Sequence, residues 1–235
     1  MKKLITLALL LKFMGTHAQV GNFASMQSKM DNLLTQTGSP VIPIFDLRYE
    51  GVKGSRFFNE EYAEGEIWMT NNRHYTVEMK YKFDEAENGV QVKFASTGKE
   101  ITLFNNEVEI FKLKMNGSTV TYFKAEVPGE NETNKLFQVI YLGKKYQLIK
   151  LPVKKLVRHK ETGAYQSGAN YDKFEESHRY FIKINDQSFK EMKFKKSVII
   201  KMIPDKKDSL EKLFDKPQYK DLTDFNIGEI LQKIE

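Results

Sequence analysis

Between Glu64 and His159 apolar and polar side chains alternate, and this period of two constrains the fold more than any other feature of the chain. A strand turns successive side chains to opposite faces, so strict alternation marks one covered face and one wet face. The runs are "EIWMT", "HYTVEMKYKF", "GVQVKFAS", "EITLF", "EVEIFKLKM", "STVTYFKAEV", "KLFQVIYL" and "KYQLIKL". Breaks such as "NNR", "DEAEN" and "TGK" separate them, and Asn and Gly there reach positive φ cheaply, as hairpin turns require. Asn116 and Asn131 match the glycosylation pattern but read as turn residues too. Short strands about ten residues apart, without helices between them, predict an antiparallel meander closing as a sandwich or barrel.

The flanks follow another period. Val20, Phe23, Met26, Met30, Leu33 and Leu34 are spaced as a helical stripe, closed by Gly38 and Pro40, and "VIPIFDL" reads as a short strand that Pro43 pushes to an edge or start position. "HKETGAYQSGANYDKFEESH" reads as a long surface loop, followed by the hairpin "RYFIKI-ND-QSFKEMKF". The chain then turns helical in "KKSVIIKMI", "DKKDSLEKLFDK" and "TDFNIGEILQKI", with Asp205 and Thr223 placed as N-caps. The fold class expected is α+β, mainly antiparallel β, with an N-terminal helix and a C-terminal helical tail.

"MKKLITLALLLKFMGTHAQ" has a basic start, a short apolar run and small residues before Gln19, the layout of a secretory signal peptide. An apolar run of this length falls well short of the ~20 residues that span a bilayer. The expected organisation is therefore a signal peptide over 1–18, an N-terminal helix over 19–39, a strand-rich body over 40–194 and a helical tail over 195–235. No later segment reads as a transmembrane helix. The chain has no Cys, which removes disulfides, thiolate catalysis, Cys-ligated zinc and lipoprotein anchoring. An exported, disulfide-free protein fits a bacterial envelope, periplasmic or peripheral to an envelope membrane.

Charge divides the chain. Residues 19–132 carry 12 basic and 17 acidic side chains, residues 133–235 carry 22 and 14, an asymmetry that favours a charged partner or head-to-tail self-association. The densest basic stretch, "GKKYQLIKLPVKKLVRHK", holds Lys144, Lys145, Lys150, Lys154, Lys155, Arg158 and Lys160 with no carboxylate. On strands most of these bases are expected to face outward, against inward Tyr146, Leu148, Leu151, Val153 and Leu156. With Lys190, Lys193, Lys195 and Lys196 they form a candidate anion-binding surface for an envelope glycan, lipid or partner protein. Lysine predominates over arginine and few aromatics are free to stack on bases, which argues against sequence-specific nucleic-acid binding. Lysine also guards exposed strands against edge-to-edge pairing, so the stretch has a purely structural explanation as well.

Catalytic signals are sparse. His74, His159 and His178 each lack a second ligand at metal spacing, and no cofactor motif occurs. Ser167 lies in the glycine-flanked "YQSGAN" without the strand-to-helix setting of a nucleophile elbow. The acidic groups Glu60, Glu61, Glu64, Glu66 and Asp84, Glu85, Glu87 read as solvated turns.

The segments "GSRFFNEEYAEGEIWMTNNRHYTVEMKYKF", "GKEITLFNNEVEIFKL", "YLGKKYQLIKLPVKKLV" and "YFIKINDQSFKEMKFKKSVIIKMIPDKKDSLEKLF" together resemble a group of uncharacterised exported proteins of Bacteroidetes-type bacteria. The resemblance covers most of residues 54–214 and implies export and a Gram-negative envelope, without assigning a role to any residue. The expected function is an exported, non-catalytic binding or scaffolding protein working through a basic face. The competing expectation is a hydrolase whose site is assembled from distant residues such as His178, Glu60 to Glu66 and Ser167.

Overall fold

The structure is a computed structural model that describes residues 49, 51–76, 79–103, 105–129, 135–158 and 171–235. The segments expected to be a signal peptide, an N-terminal helix and the short strand "VIPIFDL" lie outside the described residues, as do Asn131, His159, Lys160 and Ser167.

The predicted runs are strands. In chain order they are β1 (Ala63–Met69), β2 (His74–Tyr75), β3 (Met79–Asp84), β4 (Gly89–Phe94), β5 (Glu100–Leu103), β6 (Val108–Met115), β7 (Ser118–Lys124), β8 (Leu136–Leu142) and β9 (Tyr146–Leu151). They continue with β10 (Lys154–Val157), β11 (Lys173–Glu176), β12 (Arg179–Ile184) and β13 (Lys190–Met192). Asn72, Asn88, Asn116 and Asn185 all take positive φ at breaks between strands. Asn is among the few non-Gly residues that adopt this conformation readily, because its short side chain can hydrogen-bond locally.

Eleven described strands form one antiparallel sheet in the order β13-β12-β9-β8-β7-β6-β1-β3-β4-β5, with β2 also paired to β1. Contrary to the expected closure, this sheet does not form a barrel: β5 and β13 remain its two ends. After β5 the chain returns to the free side of β1, where Glu66 opposes Lys112 and Ile67 opposes Phe111. Growth therefore proceeds outward from β6, away from the edge that would have to be met. The predicted long loop is corrected in its last part, where β11 pairs with β10 as a separate two-stranded sheet.

One face of the first half collects Ile67, Tyr81, Phe83, Val90, Val92, Ile101, Leu103, Phe111, Leu113 and Tyr122, all buried. Tyr81, Phe83, Phe111 and Tyr122 form a continuous aromatic network, with Phe83 and Tyr122 ring centroids 4.3 Å apart. Gly65 sits where β1 meets β6: a Cβ there would stand 2.2 Å from the Lys112 carbonyl oxygen.

The tail forms α1 (Lys196–Met202), α2 (Lys207–Phe214) and α3 (Asp224–Ile234). Thr223 caps α3 as expected, its side chain accepting from the Asn226 N–H at 3.1 Å. Asp205 is not a cap. Lys206 holds the position before α2 without a side-chain bond, while Asp205 reaches Lys145 instead. Ile199, Leu210, Phe214, Ile227, Ile230, Leu231 and Ile234 bury against Tyr146, Leu148, Ile182 and Met192 of the sheet. The opposite face of the same strands buries Phe137, Ile149, Leu151 and Phe181 beneath Phe123, Ala125, Val127, Val153 and Phe189. Strand β9 is thus covered on both sides.

Candidate ligand groove and the basic stretch

Among its described residues the basic stretch does not turn every base to solvent. Lys145 Nζ lies 2.8 Å from Asp205 Oδ2, Lys150 Nζ 2.6 Å from Asp224 Oδ2, and Lys154 Nζ 3.1 Å from Glu85 Oε2. Lys154 also donates to the Phe57 carbonyl oxygen at 2.6 Å. The outward direction expected for Lys150 and Lys154 is corrected, since their side chains are only 9% and 10% exposed. A buried amine needs a carboxylate and hydrogen bonds to offset its lost hydration, and both have them. Lys144, Lys155 and Arg158 are exposed, and Lys155 stands opposite Glu175 in the β10–β11 register. Of the second basic run, Lys193 and Lys195 are exposed, while Lys196 donates to the Phe214 and Lys220 carbonyls and so ties the tail together.

Lys150 belongs to a polar row across the sheet, in which Phe111, Tyr122, Gln138, Lys150 and Tyr180 are successive cross-strand neighbours. Tyr180 donates to Asp224 Oδ1 at 2.9 Å; burial, then the Asp224 charge, push its phenol well up. Tyr122 is pushed up by burial and by the charges of Glu85 and Asp224. This row marks where the aromatic core of the first half meets the helix-covered core of the second.

Two of the acidic groups depart from expectation. Asp84 and Glu85 are buried, not solvated. Asp84 pairs with Arg56 at 2.7 Å and accepts from the Ala86 and Glu87 N–H groups. Burial raises its carboxyl, and Arg56 opposes that rise. Glu60, Glu61 and Glu64 are exposed, with Glu64 on β1. Glu66 faces Lys112, Lys114 and His74 at 3.6–3.8 Å. His74 stacks on Trp68 with centroids 4.1 Å apart, and His178 Nε2 lies 3.3 Å from Glu176. Among the described residues no group of three or more His, Cys, Asp or Glu could hold a metal ion. No described helix is long and apolar enough to cross a membrane.

A groove of about 770 Å³ opens on the face opposite the helices. Phe123 and Lys124 end β7, and the chain from Ala125 to Pro128 forms one wall. Gln147 of β9 and Lys183 of β12, paired in register, lie between the walls. The β12–β13 connection supplies the other wall with Asp186, Gln187, Ser188 and Phe189. Half-buried Phe123, Val127 and Phe189 pack on the core beneath. None of these residues stood out in the sequence: the signal would have been three apolar residues at strand ends, where turns are ordinarily polar. Comparison of the chain with protein-family models, curated proteins and solved structures finds no match.

Proposed function

We propose that this chain is an exported, non-catalytic binding protein of a bacterial envelope, periplasmic or peripheral to a membrane, and that its ligand is an anionic glycan. The groove beneath Phe123 and Phe189 is the observation that carries this reading. Its volume falls in the range of small-ligand sites, ~300–1,000 Å³, where apolar walls bury the ligand and a few polar groups orient it. Ring faces suit the C–H faces of a sugar, Gln147, Gln187 and Ser188 suit its hydroxyls, and the Lys183 amine, between walls that also carry Glu126 and Asp186, suits an acid group. The groove lies on the sheet's face, whereas an extended peptide would add to an edge strand. The excess of bases over acids after residue 133 would draw a polyanion toward this half.

The test is calorimetric titration of the chain with oligogalacturonate and with neutral malto-oligosaccharide, in low and high salt. Salt-sensitive binding of the acidic oligosaccharide alone is expected, weakened at least ~tenfold, about 1.4 kcal/mol, in Phe189→Ala and in Lys183→Gln. Equal binding by both variants, or preference for anionic vesicles over either sugar, would overturn the reading.

A further inference from the structure

Alternation makes the outward face of the first-half strands polar, and Glu66, Lys112 and Thr121 meet that expectation as successive cross-strand neighbours. The adjoining row on the same face does not. His74 of β2 stands opposite Trp68 of β1, Trp68 opposite Ile110 of β6, and Ile110 opposite Phe123 of β7. Trp68, Ile110 and Phe123 are half-buried and His74 is exposed. Trp68 is the only tryptophan of the chain, and so large a ring contributes most to stability when fully buried. Cross-strand pairs of this kind steady a sheet, which accounts for one such pair on a wet face. It does not account for four strands placing an apolar or aromatic side chain in one line.

Two further observations say what lies along that line. The row is continuous with the groove, because Phe123 belongs to both. At ~4.8 Å per strand it carries apolar surface ~14 Å beyond Phe123. Its flank is also positive. Glu66 lies 3.7 Å from Lys112, 3.6 Å from Lys114 and 3.8 Å from His74, so one carboxylate is shared by two lysines and a histidine. Lys112 Nζ sits 4.5 Å from the centroid of the Trp68 ring, and His74 stacks on that ring at 4.1 Å. The tryptophan is thereby fixed in one orientation beside an amine. Planar rings next to amines fit an acidic sugar, the rings taking its C–H faces and the amines its acid groups.

We infer that the His74–Trp68–Ile110–Phe123 row is a second stretch of binding surface, and that the acidic glycan entering the groove continues along it. The ligand is then a long linear polymer and not a short oligosaccharide. This rests on the reading of the groove as a glycan site. Length supplies affinity: once part of the polymer occupies the groove, the adjoining units meet the row at a high effective concentration.

The experiment is calorimetric titration of the full chain with a trisaccharide and with a decasaccharide of galacturonate. Trp68→Ala and Lys112→Glu are each expected to weaken the decasaccharide at least ~tenfold, about 1.4 kcal/mol, and to leave the trisaccharide unchanged. Phe189→Ala, in the groove, is expected to weaken both lengths. Unchanged trisaccharide binding also shows that a variant is folded; if Trp68→Ala loses it, Lys112→Glu decides alone. Decasaccharide affinity equal to wild type in a variant that keeps the trisaccharide would overturn the track and leave the groove reading standing. Failure of wild type to bind either length would overturn both.

Discussion

Arg56 and Asp84 show how much one pair can hold at the residue scale. Their side chains are 11% and 3% exposed and 2.7 Å apart. Removing one partner of a buried pair leaves an uncompensated charge and typically costs ~3–5 kcal/mol. Asp84 titrates above its ordinary value in the fold, since burial outweighs Arg56. A carboxyl raised in this way adds stability that is full below its unfolded pKa and lost as pH rises through the folded one. Without Arg56 it would climb further. Arg56→Met is therefore expected to cost about 3 kcal/mol or more at pH 7 and clearly less near pH 4, where Asp84 takes up a proton; urea unfolding at both values checks this. The sequence displayed Asp84 and Glu85 as members of an acidic turn. Their burial was illegible because it depends on Arg56 and Lys154, partners supplied by remote segments.

At the scale of elements, the tail helices are fastened to the β8–β9 turn by two carboxylates. Asp205 is held below its usual range chiefly by Lys145, and Glu235 by the Tyr141 hydroxyl and then the Lys145 N–H. Depressed carboxyls contribute stability that is present above their unfolded pKa, near 4, and lost as pH falls through their folded values. Acidification below about pH 4 is expected to speed amide exchange at Lys144–Tyr146 while the apolar cluster under α3 keeps its protection. Uniform acceleration across both would show that the carboxylates hold the helix as a whole. The elements themselves were readable: alternation marked the strands, Asn marked their turns and Thr223 marked the start of α3. The parity error at Lys150 is instructive. Lys150 shares its face with Tyr146 and Leu148 by simple alternation, but its charge suggested the outer side; Asp224, on a later helix, reverses that preference.

For the whole molecule the deciding feature is that strands β8, β9 and β12 are covered twice, by the helices on one face and by Phe123, Val127 and Phe189 on the other. Ending the chain at Leu222 would uncover Tyr146 and Leu148 and leave Lys150 without Asp224. The truncated protein is expected to bind a hydrophobic dye and lose its sharp thermal transition; a cooperative transition near the native temperature would show the sheet to be self-sufficient. The sequence by itself determined the elements: alternation, Asn turns and helical spacing act within a few residues, where backbone sterics and local side-chain pattern decide. Tertiary structure alone decided that the sheet stays open, that three bases of the stretch 143–160 are neutralised from within, and that the groove exists. Each of these depends on which distant segment covers a given face, and a period of two says only that a face is covered, never by what.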